Sequence, residues 1–325
     1  MMQYRVDLFD KIINNGYDVN IICSENCSSM TDNIQLTQPV SLFGFNFYSW
    51  SFFRKKIVLF ECDLRTINTY LFTLNGRNIS WGMWKTSNVF ANLIRIVIAN
   101  LTKSNIFYCE EHKLYFDRFT INKSKNFVAP NTIEVSSPEN EPIIGSYYIS
   151  IGSLNERKGI KELINCFECV LEKHPHVKLL LVGSGTYREE IELFLKSKKP
   201  QVKTSVLFLG SINNKGELSE LYKNAICSVS YGQAGLSILQ SLGNATPFIT
   251  TKNAISGGEI HNIIEGITGF KNIDNQDLFI EKMLWIHENK IEQIRMKKKS
   301  LEHYKQNASI EAMCEAIIKA IEYAK

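Results

Sequence analysis

The sequence contains no apolar run of 18 or more residues, so no segment is suited to cross a membrane as a helix. Its first ten residues, MMQYRVDLFD, carry acids where a secretion signal needs an uninterrupted apolar stretch. We therefore expect a cytoplasmic protein. An excess of one charge sign is also missing: 37 basic and 33 acidic residues leave a formal net charge of +4, which does not indicate a nucleic-acid partner.

Metal-ligand patterns are scarce as well. Cys166 and Cys169 form a C-x-x-C, but no second pair stands at zinc spacing, and the motif lies inside the helical pattern KELINCFECVLEK. We expect both thiols to be buried on the apolar side of that helix, and we interpret Cys23 and Cys27 in the same way. A D-x-D carboxylate pair is also lacking. No metal or other cofactor is therefore expected.

What the chain does contain is an alternation of short strands and helices. With 325 residues, 44 % of them hydrophobic, it is long enough for two domains. The polar segment 131–146 has two prolines and no periodicity, which predicts an interdomain linker. We therefore expect a first domain over 1–140, a second over 146–300 and a C-terminal crossover helix over 301–325. In both domains the alternation predicts an α/β fold with a parallel sheet covered on both faces.

The first domain opens on the helical pattern YRVDLFDKIINNG, whose apolar stripe includes Val6, Phe9 and Ile13 and whose end is marked by Gly16.

An aromatic stretch, SLFGFNFYSWSFFRKK, occupies residues 41–56 and ends in three bases. One interpretation is a patch at a membrane interface, where rings lie among headgroups and Arg54, Lys55 and Lys56 meet anionic lipid. The other is a hairpin or strand packed on the domain core.

The second domain contains the stretch ICSVSYGQAGLSILQSLGNATPFITTKNAISGGE, residues 226–259. It predicts a strand, a glycine-containing loop, a helix and a second strand. Amides at the start of such a helix can hold a phosphate, since Gly235 permits close backbone approach and Ser237 adds a hydroxyl donor.

Two further loops follow strands of the same domain. IGSLNERKG places Arg157 and Lys158 before a helix, and VGSGTYREE places Gly183 and Gly185 before another. Loops at the carboxyl ends of neighbouring parallel strands converge on the crevice where open α/β sheets bind ligands. The three loops together predict a phosphate-binding crevice.

These segments, together with VLFLGSINNKGELSELYKNAICSVS, resemble in order and spacing the C-terminal domain of the family-four retaining glycosyltransferases. The resemblance covers about residues 146–270 and extends more weakly to IVLFECDLRTINTYL, ISWGMW, IFYCEEH and FVAPNT, which look like blocks of a bacterial polysaccharide and O-antigen subgroup. It implies the GT-B fold: two Rossmann-like domains with parallel sheets facing across a cleft, and C-terminal helices that pack back toward the first domain. The first domain of that fold normally opens with a strand and a glycine-bearing loop, so we expect that the first strand of this domain is absent or that the stated start is late.

The resemblance also implies roles for individual residues. Lys158 matches the lysine that neutralises the donor diphosphate, with Arg157 beside it, and both are assigned as catalytic. The assigned donor-binding residues are Gly152, Ser153, Gly183, Gly185, Gln233, Gly235, Leu236, Ser237, Gln240 and Glu259.

The chain departs from the family pattern at several of these positions. Ser153 stands where the family has an arginine, and Gly232 and Gln240 replace a pair of glutamates. Met83, in WGMW, stands where relatives often have a histidine. The losses leave the charge for the departing diphosphate to Lys158, Arg157 and the helix start at Leu236.

The function implied is retaining, metal-independent transfer of a sugar from a nucleotide-sugar donor to a glycan or undecaprenyl-linked acceptor at the inner face of the cell membrane. Two alternatives stay open. One is a nucleotide-sugar epimerase of the same fold, and the other is a catalytically silent carbohydrate-binding partner protein.

Overall fold

The computed structural model describes residues 5–23, 34–49, 57–74, 76–138 and 141–325. The chain divides into two compact units: unit 1 comprises Met1–Thr132 and Ile310–Lys325, and unit 2 comprises Ile133–Ser309. Within the described residues, no helix combines the length and the apolar character needed to span a membrane.

Unit 1 contains four parallel strands and several surrounding elements. In chain order these are α1 (Val6–Asn14), β1 (Ile21–Cys23), β2 (Ile34–Leu36), β3 (Val40–Leu42), β4 (Phe45–Phe47), β5 (Val58–Glu61), α2 (Ile67–Thr73), β6 (Asn78–Met83), α3 (Val89–Leu101), β7 (Ser104–Phe107), α4 (Glu110–Asp117) and β8 (Asn126–Val128). The main sheet has the order β5-β6-β7-β8, β1 pairs in parallel with β2, and β3 and β4 form an antiparallel hairpin.

Unit 2 is built around a six-stranded sheet. Its elements are β9 (Tyr147–Ile151), α5 (Ile160–Lys173), β10 (Lys178–Val182), α6 (Arg188–Lys196), α7 (Pro200–Ser205), β11 (Val206–Gly210), α8 (Lys215–Lys223), β12 (Ala225–Ser230), α9 (Leu236–Gly243), β13 (Phe248–Thr250), β14 (Gly269–Phe270), α10 (Gln276–Glu288) and α11 (Lys290–His303). The last helix, α12 (Ile310–Ala324), belongs to unit 1.

All pairings in the sheet of unit 2 are parallel, and the strand order is β11-β10-β9-β12-β13-β14. The chain runs outward from β9 in one direction and then restarts beside it with β12. This order is that of a doubly wound Rossmann sheet, and its topological switch point lies between β9 and β12. The prediction of parallel α/β sheets is therefore confirmed in both units.

Amphipathic helices cover these sheets as their sequences predict. In unit 1, α1 buries Val6, Leu8, Phe9 and Ile12, and α12 packs against it with Met313, Cys314 and Ile317. In unit 2, α5 spans the residues that its periodicity predicts and buries its apolar stripe against the sheet.

The prediction that both thiols of the C-x-x-C motif on α5 are buried is confirmed for one cysteine and wrong for the other. Cys166 is fully buried, and burial raises the pKa of its thiol to about 12. Cys169 is exposed, so the prediction is wrong for that residue. Three residues correspond to a rotation of about 300° along a helix, which is enough to move Cys169 off the narrow buried face. The side chains of Cys23 and Cys27 lie outside the described residues.

The segment predicted as a linker is mostly packed on unit 2. Ile133 and Val135 join an apolar cluster beneath α9, and the Tyr304 hydroxyl donates to the Ile133 carbonyl at 2.6 Å. Glu134 pairs with Lys215.

The aromatic stretch begins in the β3–β4 hairpin, while residues 50–56 lie outside the described residues. Asn68 fixes the end of this hairpin, because its side chain accepts from the Tyr48 amide (2.7 Å) and donates to the Tyr48 carbonyl (2.9 Å). At the turn, the Phe43 side chain is 92 % exposed. The described part is therefore a hairpin whose turn faces solvent.

A candidate nucleotide-sugar site at the switch point of unit 2

The loops predicted to bind phosphate all lie at the carboxyl edge of the sheet of unit 2. The loop after β9 leads through a short 3-10 helix, Glu156–Lys158, into α5, and the loop after β12 leads into α9. Because β9 and β12 are neighbours at the switch point, these two loops border the crevice of the fold.

Lys158 is buried at this edge, with 5 % of its surface exposed. Its ammonium donates to the Ile151 carbonyl at 2.9 Å. A Cβ on Gly152 would lie 3.3 Å from Nζ, so the absence of a side chain there makes room for the ammonium. Burial lowers the pKa of Lys158 from its ordinary value of 10.5 to about 8. The amine is thus still mainly protonated at neutral pH.

Asn155 positions this lysine and was not singled out by the sequence. Its side chain accepts from the Lys158 amide at 3.2 Å and caps the 3-10 helix. An asparagine three residues before the lysine, at the start of a helical pattern, is the signal that could have found it.

Two backbone hydrogen bonds join the loops on either side of the crevice. The Gly232 amide donates to the Lys158 carbonyl (3.1 Å), and the Gln233 amide donates to the Arg157 carbonyl (2.7 Å). A Cβ on Gly232 would lie 2.1 Å from the Arg157 carbonyl oxygen, so only glycine permits this approach. The structure therefore brings Arg157, Lys158, Gly232 and Gln233 together.

Gly183 and Gly185, in the loop after β10, have a packing role. A Cβ on Gly183 would lie 2.0 Å from the Gly152 carbonyl oxygen, and one on Gly185 would lie 2.1 Å from the Leu154 carbonyl oxygen. The Leu154 amide donates to the Ser184 carbonyl at 2.9 Å. Because these glycines carry no side chains, the β10 loop packs directly against the backbone of the β9 loop.

The start of α9 supplies the second source of positive potential. Gly235 precedes the helix with φ −103° and ψ −126°, and the described residues provide no side-chain cap for it. Gly235, Leu236 and Ser237 are all half-buried. The Ala234 amide donates to the Ile255 carbonyl (2.9 Å), which holds the loop before the helix. The first amides of α9 are the kind of group that binds an anion.

Glu259 lies in the loop that follows β13 and is 5 % exposed. One carboxylate oxygen, Oε2, accepts from the Ser256 hydroxyl (3.0 Å) and from the Gly257 amide (2.8 Å). Ser256 was not predicted to contribute to the site. Its position three residues before Glu259 is the sequence signal that could have indicated this contact. Glu259 thus orders its own loop.

The remaining predicted residues lie at the edge of this arrangement. The Gln240 side chain is half-buried, and its oxygen accepts from the Tyr222 hydroxyl at 3.3 Å. Ser153 and the side chain of Arg157 are exposed. An exposed guanidinium beside a buried ammonium can meet a ligand that enters from solvent.

Chemically, the crevice combines a buried cation, an exposed cation and the amides of a helix N-terminus. Such an arrangement can neutralise a diphosphate without a metal ion. Glu259, the acidic residue predicted for the site, is already engaged with its own loop.

Comparisons with known proteins identify the family of the chain. A model of the family "Glycosyl transferases group 1" matches residues 134–322, which is more than half of the chain. An uncharacterized glycosyltransferase of Methanocaldococcus jannaschii is 26 % identical over 154 residues, covering 44 % of this chain and 37 % of the relative. The alpha-monoglucosyldiacylglycerol synthase of Streptococcus pneumoniae is 25 % identical over 139 residues, covering 42 % of this chain and 31 % of the relative. The chain thus matches about a third of the length of these curated relatives.

Solved structures share the fold at low sequence identity. HepE of Anabaena, solved with UDP, has a TM-score of 0.60 and 13 % identity, covering 81 % of this chain and 78 % of that chain. TarM of S. aureus has a TM-score of 0.57 and 17 % identity, covering 75 % and 50 %. The likeness supports the GT-B fold with two Rossmann-like domains.

The family match favours neither the epimerase nor the silent binding protein. The chain belongs to the glycosyl transferases of group 1.

Proposed function

We propose that the protein is a retaining glycosyltransferase that moves a sugar from a nucleotide-sugar donor to a glycan or undecaprenyl-linked acceptor in bacterial surface polysaccharide synthesis. The observation that carries the proposal is the buried Lys158, whose ammonium donates to the Ile151 carbonyl and whose backbone carbonyl accepts from the Gly232 amide, in the loop that leads into α9. Two solved GT-B neighbours, HepE of Anabaena and the pneumococcal O-GlcNAc transferase GtfA, hold UDP.

In this proposal, unit 2 binds the donor through its diphosphate. Lys158 and the first amides of α9 contact the phosphate oxygens, and Arg157 closes on them from the solvent side. The negative charge of the diphosphate counteracts the desolvation of Lys158 and keeps the amine protonated. Gln240 then orients the nucleoside through a hydrogen bond, and Glu259 orders the loop beside the sugar.

Transfer with retention requires the sugar–phosphate bond to lengthen while the acceptor hydroxyl approaches on the same face of the sugar. The negative charge on the leaving diphosphate grows during this step. Groups that bind it more strongly as it departs lower the barrier, and a lysine with an adjacent helix N-terminus fulfils this role without a metal ion.

The acceptor side of the proposal rests on unit 1 and on lipid-related neighbours. One curated relative is named as a synthase of a glucosylated diacylglycerol, and TarM was solved with alpha-GlcNAc-glycerol and UDP. The exposed turn of the β3–β4 hairpin supports a membrane contact through residues 41–56 at the inner face of the cell membrane.

The test is a transfer assay with UDP-, GDP- and dTDP-sugars as donors, in which nucleotide release is followed with and without glycan acceptors. With the active donor, Lys158→Ala should lower kcat on the order of 30- to 1000-fold, because a charge-assisted contact that strengthens in the transition state is worth about 2 to 4 kcal/mol. Gln240→Ala should weaken donor binding by about 1 kcal/mol, since a neutral hydrogen bond stabilises the bound donor equally before and during transfer.

Lys161→Ala is the matched control, because Lys161 follows on α5 and pairs on the surface with Glu190. It should keep full activity. Full activity in the Lys158 variant would mean that the diphosphate lies elsewhere, and equal losses at Lys158 and Gln240 would contradict the charge argument. Release of nucleotide from none of the donors would refute the transferase itself.

A further inference from the structure

Helix α3 of unit 1 presents an apolar face to solvent. Six of its thirteen residues are large, apolar and exposed: Val89 (76 %), Phe90 (79 %), Leu93 (58 %), Ile94 (39 %), Val97 (52 %) and Leu101 (53 %). Their spacing of one, three or four residues places them along one side of the helix. The opposite side, with Asn92, Arg95, Ile98 and Ala99, is buried against unit 1.

The segment after α4 extends this face. Asn100, near the end of α3, donates to the Phe119 carbonyl (3.1 Å) and accepts from the Ile121 amide (3.0 Å). Phe119 is 49 % exposed and Ile121 is 95 % exposed. We call these two residues and the six on α3 the outer α3 patch. Eight large apolar side chains exposed on two adjoining segments are unusual on a soluble monomer and mark an interaction surface.

Basic residues predominate in the segments that form the outer α3 patch. The sequence has no acidic residue from 64 to 109 and none from 118 to 133. Lys85, Lys103, Arg118 and Lys123 are exposed in these stretches.

The acids that lie between the two stretches are at least partly neutralised on α4. Lys113 contacts Glu110 at 2.9 Å and Asp117 at 3.3 Å. Glu111, the third acid of α4, is exposed. Lys113 and the four exposed basic residues still outnumber the three acids, so the rim of the patch carries a net positive charge.

We propose that the outer α3 patch inserts into the interface of a membrane that contains anionic phospholipids. An apolar helix face with a basic rim is the pattern of a helix that lies in the plane of a bilayer, with its side chains among the acyl chains and its cations at the headgroups. At thirteen residues α3 is about 20 Å long, too short to span the hydrocarbon core, so it lies on the surface.

The same charges argue against a second copy of the chain as the occupant. A two-fold symmetric interface would bring Lys103 and Arg118 of both copies into the same rim, where their like charges repel. Anionic headgroups instead neutralise them.

This membrane site is separate in sequence from the aromatic stretch at residues 41–56. It rests on the proposed function in one respect: membrane binding would hold the enzyme where a lipid-linked acceptor is found.

The test is sedimentation with vesicles of phosphatidylcholine containing about one-third phosphatidylglycerol. The wild-type protein should bind, and binding should weaken with added salt and on pure phosphatidylcholine. The affinity of the double variant Phe90→Ser/Leu93→Ser for vesicles should be lower by a factor on the order of 10 or more, since two apolar side chains that would be buried in the membrane are missing. A second variant, Lys103→Gln/Arg118→Gln, should bind anionic vesicles about 5-fold or more weakly.

The matched control is Leu193→Ser/Ile291→Ser in unit 2, where both side chains are also exposed on helices, at 65 % and 85 %. It should bind vesicles as the wild type does. All variants change surface positions, so circular dichroism should be unaltered.

Absence of wild-type binding, or equal loss in the control, would overturn the proposal. The proposal would also be overturned if the wild-type protein formed a dimer and bound no vesicles, while the Phe90/Leu93 variant was a monomer. A second copy of the chain would then cover the patch.

Transfer to a water-soluble acceptor separates the two proposals. If the Phe90/Leu93 variant keeps wild-type turnover there but loses vesicles, both proposals stand. If neither the wild-type protein nor any variant transfers sugar, but substitutions in the patch still weaken vesicle binding, only the proposed transferase function is refuted.

Discussion

Lys158 occupies a position that lysines rarely hold. It is 5 % exposed, and in the described part of the chain its ammonium has one hydrogen-bond acceptor, the Ile151 carbonyl. Burial disfavours the charged amine and lowers its pKa to about 8. A buried charge with so little compensation destabilises the fold, and such residues are retained where function needs the charge.

We therefore expect Lys158→Met to stabilise the protein while it removes the charge that we propose contacts the donor. At pH 7 the free energy of unfolding should rise by about 1 to 3 kcal/mol, because the desolvation of the ammonium is removed and methionine fills a similar volume. Between about pH 8 and pH 10.5 the unfolded wild-type chain holds this proton while the folded one has lost it, so wild-type stability rises with pH. The advantage of the variant should shrink across that window.

Urea unfolding of both proteins from about pH 7 to pH 10.5 measures this difference. A variant that is less stable at pH 7, or an advantage that grows with pH, would show that Lys158 contributes to stability as a bound cation. Lys161→Met, on the exposed side of α5, controls for loss of a positive charge at the surface.

At the scale of elements, the site depends on loops that touch through their backbones. The β10 loop supports the β9 loop because Gly183 and Gly185 carry no side chains, and the β12 loop approaches Arg157 because Gly232 carries none. The shape of the candidate site thus depends on three loops in contact, two of which need glycines to approach the third.

Gly185→Ala tests this contact without backbone strain, since its φ lies outside the left-handed region while an added Cβ would lie 2.1 Å from a carbonyl oxygen. We expect a loss of about 3 kcal/mol or more in stability, because the two loops must move apart. Gly210→Ala is the matched control: its φ is +71° and its Cβ would meet open space, so it should cost about 1 to 2 kcal/mol.

Thermal unfolding of both variants measures the difference. Donor affinity should fall in the Gly185 variant and stay near the wild-type value in the Gly210 variant. Equal thermal losses would mean that strain, rather than the contact between the loops, governs this region.

At the scale of the whole molecule, the chain returns to unit 1 at its last helix. α12 buries Ile317 and Ala320 in the cluster that also contains α1, and the Ser104 hydroxyl donates to the Ala320 carbonyl at 2.9 Å. Unit 1 therefore contains residues from both ends of the sequence.

Ile317→Ala should consequently destabilise unit 1 and leave unit 2 intact, although residue 317 follows unit 2 directly in sequence. The side chain is 1 % exposed, so the loss should be about 2 to 5 kcal/mol. Hydrogen exchange should accelerate in α1, β7 and α12 and stay unchanged in α10 and α11. Ile291→Ala, at a position that is 85 % exposed, is the control and should change neither unit. Faster exchange confined to α10 and α11 would contradict the division.

Much of this organisation is determined by local sequence. Apolar periodicity is a property of neighbouring residues, so it locates elements such as α5 and α9 and the order in which strands and helices alternate. The loops around Lys158 and Gly235 follow from the same pattern, because parallel strands end at one edge of a sheet. These features could be predicted with the sequence alone.

The rest depends on segments that are distant in sequence. The glycines of VGSGT are predicted to face a phosphate, but the structure gives them the Gly152 and Leu154 carbonyls as neighbours. The sequence of α3, VFANLIRIVIANL, is apolar around most of its circumference, which is typical of a buried helix. Only the tertiary structure shows that Arg95 points inward and Phe90 outward, because the exposed side of a helix is decided by what the rest of the chain packs against it.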